Sequence, residues 1–249
     1  PFCRALLHQF SQQIFGEYPS IRRIFATKTG TKLLRQILCT LNIGCSRNKM
    51  KQKAKLILAS SSAIRRKLLA DAGVAFTARN SMLDEENAKI AMREQQLNPA
   101  QQAHELALLK AKKISKGNDN FVIGCDQILA LNGQAFDKAH DMESAKERLK
   151  ALRGKAHVLE TAIVIAREGK LIWRYDASPR LIMRNFSDEF LDSYLNISGE
   201  RILSSVGCYQ LEGMGSQLFE KIDGDYFSIL GLPLLELLAY LRLHKIAET

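Results

Sequence analysis

From residue 55 onward, short apolar runs alternate with amphipathic stretches. Residues 56–59 (Leu-Ile-Leu-Ala) are an unbroken apolar run, long enough for a buried strand and too short for a helix. Ser60, Ser61 and Ser62 end it, and residues 62–72 then carry apolar positions at helical spacing, with Gly73 as the stop. Asn98 and Pro99 supply a cap and a first-turn proline for a helix that runs to Lys116 and closes at Gly117. Residues 121–131 read as a long strand, turned by Asn132-Gly133. Asp141 caps a helix to Arg153, closed by Gly154. Residues 158–166 and 171–184 are rich in β-formers and separated by Glu168-Gly169, which predicts a hairpin. Ser187 caps a short helix to Leu195, residues 207–231 read as glycine-punctuated strand and turn, and residues 233–245 as a last amphipathic helix. This order predicts an α/β fold: a single domain with a mixed, twisted β-sheet flanked by helices.

Composition changes this picture at one end only. The 249 residues are 46% hydrophobic and 25% charged, ordinary values for a globular chain. The net charge of +10 divides unevenly: residues 1–49 hold eight basic groups and one acid, while the remainder holds 28 basic and 25 acidic residues. The basic excess therefore belongs mainly to the first fifth of the chain, and the rest does not require nucleic acid as a partner. Residues 1–49 are read as a basic extension outside the native fold, and residues 50–249 as the functional domain. Met50 opens the text that leads straight into the first strand, so upstream sequence translated in error is preferred to an acid-poor targeting segment or a genuine basic arm. No apolar run approaches the ~18 residues of a membrane span. The five cysteines form no CxxC pair and no zinc spacing, so reduced thiols and a cytoplasmic location are expected.

Chemistry is concentrated in three segments. The first is the serine run followed by a helix with Arg65 and Arg66 in its opening turn. A strand that breaks into a helix N-terminus presents backbone N–H groups to an anion, and arginine adds bidentate phosphate recognition. The plain alternative is a turn in which Ser62 caps the helix. The second is Asp126, an acid inside the apolar run Val122-Ile123-Gly124-Cys125-Asp126-Gln127-Ile128-Leu129. Such an acid is costly unless paired, hydrogen-bonded or metal-bound, and Gly124 permits close approach of a ligand or another backbone. The third is residues 207–213 with residues 218–226 and Gly231-Leu232-Pro233, where glycine density suggests a backbone held close to a ligand or a set of tight hairpins. Asp84-Glu85-Glu86 could supply oxygen ligands to Mg²⁺ or form a solvated turn, and Lys110 and Lys138 are phosphate contacts or exposed basic residues. A Walker loop, a GxGxxG after a strand, a GxSxG elbow and HExxH are all missing from the sequence, and Ser60–Ser62 have no evident base.

Taken together, residues 58–62 with Arg65, residues 123–127, and the glycine-rich third segment resemble the Maf family of nucleotide pyrophosphatases, also called septum-formation-inhibitor-like proteins, over residues 55–243. The resemblance implies an inosine-triphosphatase-like mixed sheet with a long central cleft. It also implies hydrolysis of a nucleoside triphosphate to the monophosphate and pyrophosphate with a divalent cation, Mg²⁺ or Mn²⁺. By position it implies Asp126 as the catalytic proton acceptor and a metal ligand, and Glu85 as the acid near the metal. Arg65, Lys110, Lys138, Ser60 and Ser62 fall at the phosphates, and Ile64, Gln127 and Glu212 where base choice is tuned. A homodimer is left open, and so is a nucleotide-binding role in septation with little turnover.

The sequence departs from the family pattern at several positions. Ala63 and Ala139 stand where proline is usual, and Cys125 replaces a small residue. Gln127 and Glu212 look like the subgroup that acts on 7-methyl-GTP, but Ile64 lacks the aromatic face which that subgroup's tryptophan would offer a cationic base.

Overall fold

The computed structural model describes residues 55–246. The expected extension and the start at Met50 lie outside the described residues. Eight strands form one open mixed sheet: β1 (Leu56–Leu58), β2 (Thr77–Ala78), β3 (Phe121–Leu131), β4 (Gln134–Phe136), β5 (Ala156–Arg167), β6 (Lys170–Ala177), β7 (Arg180–Met183) and β8 (Phe219–Asp223). The order is β2-β1-β3-β5-β7-β8, with β4 paired to β3 and β6 to β5. β1 is parallel to β2 and β3, and the β3–β5 pair is antiparallel, with Asp126 opposite Ala162.

Among the described residues, seven α-helices flank the sheet: α1 (Ala63–Asp71), α2 (Glu85–Glu94), α3 (Pro99–Ser115), α4 (Met142–Leu152), α5 (Asp188–Ser198), α6 (Tyr226–Ile229) and α7 (Leu234–Leu243). The caps read from the sequence are formed. Asn98 and Gln101 make a reciprocal capping box on α3, Asp141 caps α4 and Ser187 caps α5. No helix among the described residues is long and apolar enough to cross a membrane.

Side-chain alternation along β3 and β5 divides the core. Ile128, Ala162 and Val164 pack with Ala103, Leu106, Ala107 and Ala111 of α3 on one face. On the other face Ile123, Cys125, Ile163 and Ile165 meet α7, while Leu129 and Leu159 meet α4, α5 and the segment around Tyr209. The contact of α3 with β3 is set by Gly124. A Cβ there would lie 2.0 Å from the carbonyl oxygen of Ala107. The close approach read from Gly124 is therefore to the backbone of α3.

Three expectations change. Asp84-Glu85-Glu86 is not a solvated turn: Asp84 accepts a hydrogen bond from the Asn87 amide and caps α2, whose first turn holds both glutamates. Residues 171–184 are not one strand, because the chain breaks at Ser178-Pro179 and β7 pairs with the start of β5 while β6 pairs with its end. Residues 207–231 hold only one strand, β8, beside the 3₁₀ turn Met214–Leu218 and α6. Much of the glycine density there serves the protein's own packing: a Cβ on Gly207 would strike the Tyr209 ring, and one on Gly215 the backbone of Gln210.

Candidate active site

Lys110 and Asp126 form the centre of the cluster. Because Gly124 lets α3 lie against β3, the Lys110 stem is buried and its Nζ donates to Asp126 Oδ1 at 2.6 Å. Asp126 is only 8% exposed. A buried carboxylate needs such a partner, and the ammonium needs it equally. Glu85, at the start of α2, brings Oε1 to 3.0 Å from the same ammonium. Two carboxylates from different elements thus converge on one cation.

Arg65 approaches from the first turn of α1. Its Nε donates to the Gly231 carbonyl at 2.7 Å and its Nη1 to the Cys125 carbonyl at 3.0 Å, with a longer contact to Ser60 Oγ at 3.4 Å. Much of the fork predicted to hold phosphate is therefore spent tying β1, β3 and the turn after α6 together, with Nη2 outside those bonds. Gly231 has φ +90°, and a Cβ there would stand 3.3 Å from the guanidinium, so glycine suits this position on both counts. Cys125 Sγ donates to the same Gly231 carbonyl at 2.9 Å, and burial pushes its thiol pKa up.

Ser62 caps α1 through its Oγ, which accepts from the Arg65 amide at 3.4 Å, and the buried Ser60 accepts from the Ser62 amide at 3.2 Å. The plain reading of the serine run is realised, while the helix N-terminus still opens beside the cluster. Lys138 follows β4 and stands within electrostatic reach of Arg65, Asp126, Glu85 and Lys110. Loss of hydration, with the Arg65 charge, lowers its ammonium pKa.

Of the base-choice positions, Gln127 comes nearest to Arg65: a Cβ on Gly231 would stand 3.6 Å from Gln127 Oε1 and 3.3 Å from the Arg65 guanidinium. Ile64 is half-buried against the apolar layer under α7. Gln127 lies on the opposite face of β3 from Asp126, and its Nε2 donates to Thr161 Oγ1 at 2.8 Å and to the Ser228 and Ile229 carbonyls at 3.0 and 3.1 Å. Its amide nitrogen is thus committed to Thr161 and α6. Glu212 is exposed in the turn before residues 214–218, where its charge acts on Tyr194.

Sequence reasoning missed Lys89, Arg93 and Asp137. Lys89 Nζ donates to Asp137 Oδ1 at 2.8 Å and Arg93 Nη2 to Asp137 Oδ2 at 2.5 Å. The recurrence of Glu85, Lys89 and Arg93 every four residues was the available signal, hidden by reading their start as a turn. Two surface recesses, about 420 and 590 Å³, lie elsewhere, the first lined by Asn98, Asn132, Glu160 and Arg180 and the second by Glu143, Lys146, Asp192 and Glu200.

Glu85 and Asp126 are hard oxygen donors, of the kind that Mg²⁺ and Mn²⁺ take in ones and twos beside water and phosphate oxygens. Among the described residues no group of three or more His, Cys, Asp or Glu side chains forms a metal site. The donor pair fits a cation that shares its shell with a polyphosphate.

Fold and cluster define an α/β protein with an open mixed sheet and an anion-receptive charge cluster where β1 ends and α1 begins. The chain belongs to the Maf-like protein family, which matches residues 55–244. It is 52% identical over 192 residues to a nucleoside triphosphate pyrophosphatase of Hyphomonas neptunium, covering 77% of this chain and 97% of that protein. It is 50% identical over 192 residues to a nucleoside triphosphate pyrophosphatase of Granulibacter bethesdensis, covering 77% and 98%. It is 46% identical over 192 residues to a 7-methyl-GTP pyrophosphatase of Brucella abortus, covering 77% and 96%.

Proposed function

We propose that this protein hydrolyses a nucleoside triphosphate to the nucleoside monophosphate and pyrophosphate. The observation that carries this reading is the buried Asp126 carboxylate bonded to Lys110, with Glu85 on the same ammonium. Arg65 and Lys138 add two further cations, so a polyanion finds three positive side chains around a carboxylate base.

Asp126 orients a water and takes its proton as the water oxygen bonds to the α-phosphorus. The bond from that phosphorus to the bridging oxygen breaks, and pyrophosphate leaves with the electron pair. Lys110 and Lys138 stabilise the charge that grows on it, and Arg65 Nη2 with the start of α1 holds the remaining phosphate oxygens. Glu85 and Asp126 would hold Mg²⁺ or Mn²⁺, which when bound supplies further neutralisation of phosphate charge.

Clearance of modified nucleotides in the cytoplasm is the task we assign, with 7-methyl-GTP the first candidate. Gln127 and Glu212 support that choice, as does the name of the Brucella relative. Ile64 offers no aromatic face, so discrimination against unmethylated GTP is expected to be shallow.

The test is pyrophosphate release by the full chain with Mg²⁺ or Mn²⁺. The panel holds the common ribo- and deoxy-triphosphates, 7-methyl-GTP and 5-methylated pyrimidine triphosphates. Metal-dependent release from one or a few is expected. Saturable binding with negligible release would instead indicate a nucleotide-binding regulator of septation.

A further inference from the structure

Helix α2 is an unusual wall for a site. Met92 is its one buried residue, so apolar packing anchors it weakly. One polar face does the anchoring instead. Glu85, Lys89 and Arg93 lie on it at four-residue spacing, one above the other. Glu85 reaches Lys110, and Lys89 and Arg93 each take one oxygen of Asp137. Lys89 Nζ also lies 3.9 Å from Glu86 Oε1, and its side chain is only 16% exposed.

Asp137 leaves β4 and directly precedes Lys138. The same helix face therefore grips both sides of the cluster, one through Glu85 and Lys110, the other through Asp137. Both members are held in their charged forms. Burial alone would lower the Lys89 pKa, but the bond to Asp137 and the charges of Asp137, Glu86 and Asp126 raise it. Burial would raise the Asp137 pKa, but its bonds to Lys89 and Arg93 hold the carboxyl below its usual value.

We infer that Lys89, Arg93 and Asp137 are positioning residues: they fix where the Lys138 ammonium stands relative to Asp126, Lys110 and Glu85, and so set affinity for the polyphosphate. This rests on the triphosphate reading above. A single exposed ion pair does little, but two cations sharing both oxygens of one carboxylate form a network whose members act together.

The experiment is steady-state pyrophosphate release by the full chain, with KM and kcat determined separately and thermal melting recorded for each variant. Asp137→Asn is expected to raise KM about 10-fold while kcat stays within about threefold. Lys89→Ala moves KM the same way, and Lys89→Arg restores most of it. The combined Lys89→Ala/Asp137→Asn variant costs no more than the worse single change. A folded Asp137→Asn with wild-type KM, a loss confined to kcat, or additive effects would overturn the inference. If the wild type releases no pyrophosphate, the functional reading fails first. Calorimetric binding of GTP and 7-methyl-GTP in EDTA then decides the clamp: weaker binding by Asp137→Asn supports it, and equal binding, or none by either protein, overturns it.

Discussion

Two helices deliver side chains to the cluster from the N-terminal turn, and they are held by opposite means. α1 follows β1, is capped by Ser62, and buries Leu68 and Leu69 in the core. Its Arg65 donates to the Gly231 and Cys125 carbonyls, two points 166 and 60 residues away along the chain. α2 buries only Met92 and is held by charges on one face. Partly buried hydrogen bonds from a charged donor contribute to stability, and losing them leaves the Gly231 carbonyl with the weaker Cys125 thiol donor. Ion pairs near solvent contribute little to stability but still fix geometry. The α1 side should therefore report damage as unfolding, and the α2 side as altered kinetics.

The largest break in that contrast is expected where the two sides meet. Asp126→Asn should lower kcat about 10³-fold while leaving a folded protein, because Glu85 still faces the Lys110 ammonium. Near-wild-type turnover would remove Asp126 from the chemistry.

The next effect tests the scaffold apart from either helix. His157 is 1% exposed, bonded through Nε2 to Tyr209 Oη at 2.7 Å, with Nδ1 unpartnered. Burial lowers its pKa from 6.5 to about 4. The unfolded chain binds a proton below about 6.5 while the folded imidazole stays neutral, so this stability is complete above that pH and is lost as pH falls toward 4. The loss is roughly 3 kcal/mol, read as a falling unfolding midpoint in urea between pH 7 and 4, and a His157→Gln variant should flatten that slope. Asp137, Asp141 and Asp188, with lowered carboxyl pKa values, add their losses only at lower pH.

Arg65→Lys sharpens the comparison directly. An ammonium cannot serve the Gly231 and Cys125 carbonyls from a fork, and a stability loss of about 2 kcal/mol is expected in denaturant unfolding. If Asp137→Asn costs as much stability as Arg65→Lys, the distinction between the two helices collapses. The smallest effect is at Ile64, next to Arg65. Ile64→Trp should shift the kcat/KM ratio of 7-methyl-GTP over GTP upward by about threefold to tenfold, through stacking worth about 1 kcal/mol. An unchanged ratio would mean that position 64 does not meet the base.

Much of the site was legible as residue types but not as contacts. Asp126 stood out because an acid in an apolar strand needs a reason, and Lys110 supplies it. Nothing in the sequence said which lysine would pair with it, since Lys110, Lys112 and Lys113 share one helix and only the approach of α3 at Gly124 selects among them. Arg65 was legible as an anion ligand and is found largely bonded to carbonyls. Gln127 falls with base choice by resemblance; strand alternation puts it on the other face of β3 from Asp126, where its amide nitrogen holds α6 and its Oε1 lies beside Gly231 and Arg65. The helix α2 was lost because its acidic start resembles a turn, and its four-residue spacing of charges acquires meaning only once Asp137 lies opposite.

The sequence by itself determined the elements whose signals are local: the caps at Ser62, Asn98, Asp141 and Ser187, the apolar runs of β1, β3 and β5, and the amphipathic helix α7. These depend on hydrogen bonds within a few residues or on a periodic apolar face, both of which are written in order along the chain. Tertiary structure alone decided that Lys110, Glu85 and Asp126 share one point, that Arg65 and Cys125 meet at Gly231, and that Asp137 couples α2 to Lys138. Charges and carbonyls attract whatever partner the packed backbone brings near, and that partner is chosen by how helices settle on the sheet.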